Sequence, residues 1–179
     1  MEAFILFLII PAVMSDLQTL RRSCIPAGPY PWTLQTNEVF PRLYISDVYS
    51  ATARRTLRDL QITHVISVMP GPVDLPIPAE HLQVQIRDST TENISSHFDR
   101  TIKFIQTALA ESSSHRVLIH CYWGMSRSVS MAIAYLQAQE NMTFEDALEQ
   151  VSRYRKLARP NSGFRSQLRA YGEMLTARG

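Results

Sequence analysis

Cys121 and Arg127, separated by five residues, are the pair in this chain best suited to act on one substrate. Cysteine offers a nucleophilic sulfur, and arginine offers a planar fork that donates to two oxygens of one anion. They lie in the segment His120-Cys121-Tyr122-Trp123-Gly124-Met125-Ser126-Arg127-Ser128. The apolar run Val117-Leu118-Ile119 before it reads as a strand, and Val129 to Gln139 after it reads as an amphipathic helix. A sharp strand-to-helix loop leaves successive backbone N–H groups without internal partners. Those of Tyr122, Trp123, Gly124, Met125, Ser126 and Arg127 are expected to converge on an anion, aided by the positive end of the helix. Gly124 permits a tight or left-handed turn. Such a cradle binds phosphate and favours the anionic sulfur of Cys121. The Ser128 hydroxyl is placed to donate to that sulfur, restraining it and helping it leave. His120 is expected to hold the loop through ring hydrogen bonds rather than to act as a base. The loop lacks the glycines and lysine of a nucleotide-binding phosphate loop, and no second cysteine stands near enough for a metal site.

Thiolate attack on a phosphate ester needs a proton for the departing oxygen. The segment Arg87-Asp88-Ser89-Thr90-Thr91-Glu92-Asn93 follows a strand that ends at Ile86. Asp88 is the expected donor, giving a proton in the first step and taking one from water in the second. Glu92 is its local rival. Arg87 is either solvated or holds the acid loop. Asp99 and Asp146 fall within or at the start of helices and read as surface or capping groups.

The elements that must position these groups are legible as alternating strands and helices. Val39-Phe40 and Leu43-Tyr44-Ile45 read as short strands around Pro41, Val48 to Leu60 as a helix, and His64 to Val68 as a strand. Leu82 to Ile86 alternates strictly and reads as a strand with one wetter face. Phe98, Ile102, Ile105 and Leu109 recur at helical spacing. After Ile119 the pattern predicts helices over 128–139, about 143–154 and about 162–176. Thr143 with Asp146 resembles a capping box, and Asn161 is an N-cap for the last helix. The serine run 112–114 reads as a solvated turn. The expected fold is α/β, with about five mostly parallel central strands covered by helices on both faces. Ligands in such sheets sit at the carboxyl ends of the strands, where the loops after Ile86 and Ile119 both leave.

Composition sets wider bounds. The chain has 179 residues, 45% hydrophobic and 19% charged, enough for one domain with a sizeable core. A net charge of +2 argues against nucleic acid as a partner and would not repel an anionic substrate. Two cysteines, Cys24 and Cys121, make no disulfide framework and point to a reducing, cytoplasmic or nuclear compartment. Cys24 as a trap for oxidised Cys121 is a weaker idea, because sequence supplies no distance. The apolar run Ala3 to Met14 has three readings: a helix packed on the domain or on a second subunit of a homodimer, a targeting or membrane-contacting segment, or an oddity of the start site. Glu2 stands where a targeting segment carries positive charge, which disfavours membrane contact. Residues 1–31 read as an N-terminal extension, closed by the turn-rich stretch between Cys24 and Trp32.

His120-Cys121-x5-Arg127-Ser128 resembles the signature of the cysteine-dependent protein tyrosine phosphatase superfamily. Ser126-Arg127-Ser128 followed by Ala134-Tyr135-Leu136 resembles its small, single-domain dual-specificity members. Leu43-Tyr44-Ile45-Ser46 with Ala51 and Leu57, Ile62 to Val68, Asp88 with Glu92-Asn93-Ile94 and Phe98, and Asn161-Ser162-Gly163-Phe164 with Gln167-Leu168 are similar to further stretches of that family. The resemblance covers about residues 35–175 and identifies 32–179 as the catalytic domain, with the α/β fold of that superfamily. It implies hydrolysis of phosphotyrosine and phosphoserine or phosphothreonine on proteins through a cysteinyl-phosphate, without metal or other cofactor. By position it makes Cys121 the nucleophile, Arg127 the phosphate clamp, Asp88 the general acid and Ser128 the group that assists breakdown of the intermediate. Trp123 stands where the family usually has a small alanine; it either packs beneath or beside the loop or forms a rim to the mouth. The alternatives are a non-catalytic phosphoresidue-binding adaptor, or a phosphatase of lipid, inositide or RNA 5′-phosphate. The uncharged Tyr122, Trp123, Met125 and Ser126 disfavour multiply phosphorylated lipids.

Overall fold

The shortest strands carry the fold. A computed structural model describes residues 35–177; the whole of the expected N-terminal extension, residues 1–31, with the apolar run 3–14 and Cys24, lies outside them. In chain order the elements are β1 (Asn37–Phe40), β2 (Leu43–Ser46), α1 (Val48–Ala51), α2 (Arg54–Asp59), β3 (His64–Val68), β4 (Glu80–Val84), a single 3-10 turn (Ser95–His97), α3 (Phe98–Glu111), β5 (Val117–His120), α4 (Arg127–Glu140), α5 (Phe144–Tyr154) and α6 (Ser162–Thr176). The five strands lie in the order β1-β2-β5-β3-β4. Only β1 and β2 pair antiparallel; β2 with β5, β5 with β3, and β3 with β4 are parallel. This is the expected mostly parallel sheet.

Alternation along the strands divides the core. Leu43, Ile45, Ile66, Val68, Val117 and Ile119 face one cluster, shared with apolar residues of α3, α4, α5 and α6. Tyr44, Val65 and Leu118 face the other, against Ala51 and Leu57 of α1 and α2. β5 is hydrogen-bonded on both edges and all four of its residues are buried. The strand that delivers Cys121 is therefore the central one of the five, flanked by β2 and β3, which are fully buried as well.

Three expectations change. The helix from Val48 to Leu60 is two helices, broken at Thr52 and Ala53. Asp47 caps the first through Ser50 N at 2.9 Å, and Ala53 is extended (φ −87°, ψ 108°), so the chain turns there. The strand expected at Leu82 to Ile86 is shifted two residues toward the N-terminus and runs Glu80–Val84, ending before Ile86, because β3 aligns His64 with Glu80 and Val68 with Val84. The expected alternation survives, since Leu82, Val84 and Ile86 are buried and Gln85 is exposed. Finally, α4 is not amphipathic over its first three turns: every residue from Arg127 to Gln137 is buried. It is the central helix, packed between α3, α5 and α6 and against the sheet. It ends at Asn141 in the left-handed conformation (φ 52°, ψ 31°).

The caps follow the sequence more closely. Asn161 Oδ1 accepts from Phe164 N at 2.9 Å. Thr143 Oγ1 accepts from Asp146 N at 3.1 Å, but donates its own proton to the Asp146 carboxylate at 2.8 Å. That differs from a reciprocal capping box, because the shorter aspartate takes the hydroxyl instead of the backbone. The serine turn is present, with Ser114 N donating to Ser112 Oγ at 3.2 Å.

Candidate active site

Cys121 sits directly after β5 and is 1% exposed. The Ser128 hydroxyl, in the first turn of α4, donates to its sulfur at 3.3 Å. The loop between them turns at Gly124, which has φ +65°. A Cβ at Gly124 would collide with the Ser46 carbonyl and with the Arg155 guanidinium, so glycine is required by space as well as by conformation.

Arg127 opens α4 and is 7% exposed. Its Nη1 donates to Ile86 O at 3.3 Å, which ties it to the root of the acid loop. Its Nε lies 3.4 Å from Asp88 Oδ2, in ion-pair range but outside hydrogen-bond geometry, and has no hydrogen-bond acceptor. A bound anion would supply that acceptor.

Asp88 is held against the cradle from two elements. Its Oδ1 accepts from Ser126 Oγ at 2.7 Å and from Asn161 Nδ2 at 2.9 Å. Asn161 N in turn donates to Ser126 Oγ at 3.1 Å, closing a small ring of hydrogen bonds. The side chain that caps α6 thus also aims the carboxylate. The acid loop also leans on α6, because a Cβ at Gly163 would overlap the Thr90 backbone. Glu92 faces differently: its carbonyl accepts from Gln167 Nε2 at 2.8 Å, and among the described residues no hydrogen bond or ion pair joins its carboxylate to the cradle. Arg87 is exposed.

His120 is fully buried, and burial pushes its pKa down to about 4. The ring is therefore neutral at physiological pH, which fixes the direction of a hydrogen-bonded string. Its Nδ1 is 3.4 Å from the Cys121 carbonyl and must donate to it, leaving Nε2 bare. Ser67 Oγ then donates to Nε2 at 2.7 Å, and His81 Nε2 donates to Ser67 Oγ at 2.8 Å. The string runs from β4 across β3 to the residue before Cys121.

Arg155 escaped the sequence reading. It follows α5, is 1% exposed, and lies under the loop. Its Nε donates to Gly124 O, Nη2 to Trp123 O at 3.2 Å, and Nη1 to Gln35 O at 2.9 Å and Asn37 Oδ1 at 2.8 Å. Burial disfavours its charge, while Asp47 and the Cys121 sulfur favour it. One signal was available: Ala147 and Val151 lie on the buried stripe of α5, and Arg155 is the next position on it. Two further backbone bonds pin the loop, from Val48 N to Tyr122 O at 3.2 Å and from Arg159 N to Met125 O at 2.7 Å.

The half-buried side chains of Tyr122 and Trp123 meet at 4.9 Å between ring centroids. Tyr49 of α1 lies 6.2 Å from the first and 6.5 Å from the second. The indole of Trp123 thus sits half-buried in an aromatic group with Tyr122 and with Tyr49 of α1.

Residues 43–174 match the family described as dual specificity phosphatase, catalytic domain. The chain is 34% identical over 167 residues to the dual specificity protein phosphatase MPK-4 of Drosophila melanogaster, covering 89% of this chain and 41% of that protein. It is 37% identical over 146 residues to the tyrosine-protein phosphatase yvh1 of Schizosaccharomyces pombe, covering 80% and 44%. The chain thus spans less than half the length of these two relatives. Among solved structures, the human tyrosine phosphatase-like serine/threonine/tyrosine-interacting protein aligns with a TM-score of 0.74 at 29% identity, covering 79% of this chain and 97% of that one.

Proposed function

The chain belongs to the dual specificity phosphatase catalytic-domain family, and from that membership we propose that it hydrolyses phosphomonoesters on protein tyrosine and serine or threonine side chains. The observation that carries this reading is the Asp88 carboxylate, seated on Ser126 of the loop and 3.4 Å from Arg127, in the same site as Cys121. The Gly124 turn and Arg155 hold the loop in shape before substrate arrives.

In the proposed reaction the substrate phosphoryl group enters the loop and takes the donors of Arg127, including the unpartnered Nε–H. The Cys121 thiolate attacks phosphorus. The P–O bond to the side chain breaks as the S–P bond forms, and the proton of Asp88 passes to the departing oxygen. In the second step water attacks the cysteinyl-phosphate and gives its proton to the Asp88 carboxylate. The S–P bond breaks, inorganic phosphate leaves, and the Ser128 hydroxyl stabilises the departing sulfur. Every step uses groups of this chain and water. A thiolate nucleophile fits a reducing compartment, and we place the protein in the cytoplasm or nucleus on that ground.

The test is a phosphopeptide panel with wild type and Cys121→Ser side by side. Turnover by wild type alone, with phosphopeptide binding kept in the variant, is the expected result. Equal turnover in both would sink the thiolate mechanism. Binding without turnover in both would instead make the chain a phosphoresidue adaptor.

A further inference from the structure

At the end of the sheet opposite the cradle, we propose that His64, His115 and Glu111 form a binding site for one divalent zinc-class ion. His64 opens β3, His115 precedes β5, and Glu111 ends α3. Cys121 leaves the other end of β5, a four-residue strand that spans roughly 13 Å. The site shares no residue with the cradle and does not depend on the phosphatase reading.

One ligand atom of each residue lies within 4.8 Å of the other two. In a tetrahedral zinc site with bonds near 2 Å, ligand atoms stand about 3.3 Å apart, so the three must close by roughly an ångström or more. The groups on the moving side have that freedom. Glu111 is 59% exposed at a helix end, and His115 sits in the serine turn beside it. His64 is the fixed member, buried on β3 with its ring against Phe104 and 4.9 Å from the His115 ring.

The outward bonds of the two rings favour ligation. His115 Nδ1 lies 3.0 Å from Ala108 O and 3.8 Å from Glu111 Oε2, so the carboxylate already stands beside the ring; donation of the Nδ1 proton to the carbonyl leaves Nε2 as the bare nitrogen of the neutral ring. His64 Nδ1 is 2.8 Å from Thr63 Oγ1, a hydroxyl able to accept as well as donate, so this ring can also bare Nε2. Among the described residues neither Nε2 has a hydrogen-bond partner. Histidines that ligate metals commonly donate their other ring N–H to a carbonyl, carboxylate or water, which fixes the tautomer and the ring orientation. Two imidazoles and one carboxylate suit zinc and its neighbours in the transition series rather than magnesium or calcium. Water would complete the shell. The ion would tie the last turn of α3 to the starts of β3 and β5.

The test titrates zinc chloride into the full chain carrying Cys121→Ser, so that the reactive sulfur does not compete. Calorimetry should show one ion per chain, and His115→Ala and Glu111→Gln should each weaken binding by at least about tenfold. A second readout needs no variant at the site: zinc should shift the imidazole resonances of His64 and His115 and leave those of His81 and His97 in place. Absence of binding, or binding undiminished in His115→Ala with unshifted His64 and His115 resonances, overturns the proposal.

Discussion

Asp88 and Glu92 stand four positions apart on one loop, and the structure separates them by what holds them. Asp88 accepts from Ser126 and Asn161 and faces Arg127, whereas Glu92 uses its backbone to brace Gln167. Asp88→Asn should therefore slow hydrolysis of substrates with poor leaving groups by roughly 10²–10⁴-fold, the usual worth of a positioned acid. Activated aryl phosphates should suffer less, because their leaving group needs little protonation. Glu92→Gln should stay near wild type; if it shows the large loss, the acid assignment is wrong. Asn161 is the residue whose second task was hidden. Its place before an apolar helix marked it as a cap, but its bond to Asp88 joins residues 73 positions apart, which no local pattern records.

At the scale of elements, the cradle is shaped by what lies beneath it. Arg155 satisfies two loop carbonyls and two groups near β1, so removing its side chain would leave several buried acceptors without donors. Arg155→Met should cost about 2–4 kcal/mol of stability by chemical denaturation and lower kcat/KM. Arg155→Lys should restore only part of both, since an ammonium does not reproduce the fork. Lysine behaving like wild type would show that charge alone matters there. The strands and the last three helices were legible because apolar periodicity and caps are local. The break at Thr52 and Ala53 was not, because the apolar spacing runs through it, with Ala51 before and Leu57 after the break packed in one cluster with Leu118 of β5. The burial of α4 was missed for a related reason: Ser130 and Gln137 share a helix face that looks wet in isolation, yet each makes its hydrogen bond inside the fold, as Ser128 does on the opposite face.

For the molecule as a whole, the neutral His120 ties stability to pH. Its folded pKa of about 4 lies below the ordinary 6.5. Below pH 6.5 the unfolded chain takes up a proton that the folded chain refuses until pH nears 4. The stabilisation is complete above 6.5 and is lost as pH falls toward 4, by about 3 kcal/mol in all. Denaturant unfolding from pH 7 to 4.5 should fall more steeply for wild type than for His120→Asn; parallel curves would refute the assignment. By itself the sequence determined the order of the strands and main helices, the mostly parallel sheet and the chemistry proposed for Cys121, Arg127 and Ser128, because one short loop holds all three. Tertiary structure alone decided what that loop rests on and what holds Asp88, the acid the sequence had already favoured over Glu92, against it. Arg155, Asp88, Asn161 and Ser67 arrive from four separate segments, and the spacing between them is set by the packing of helices on the sheet, not by position along the chain.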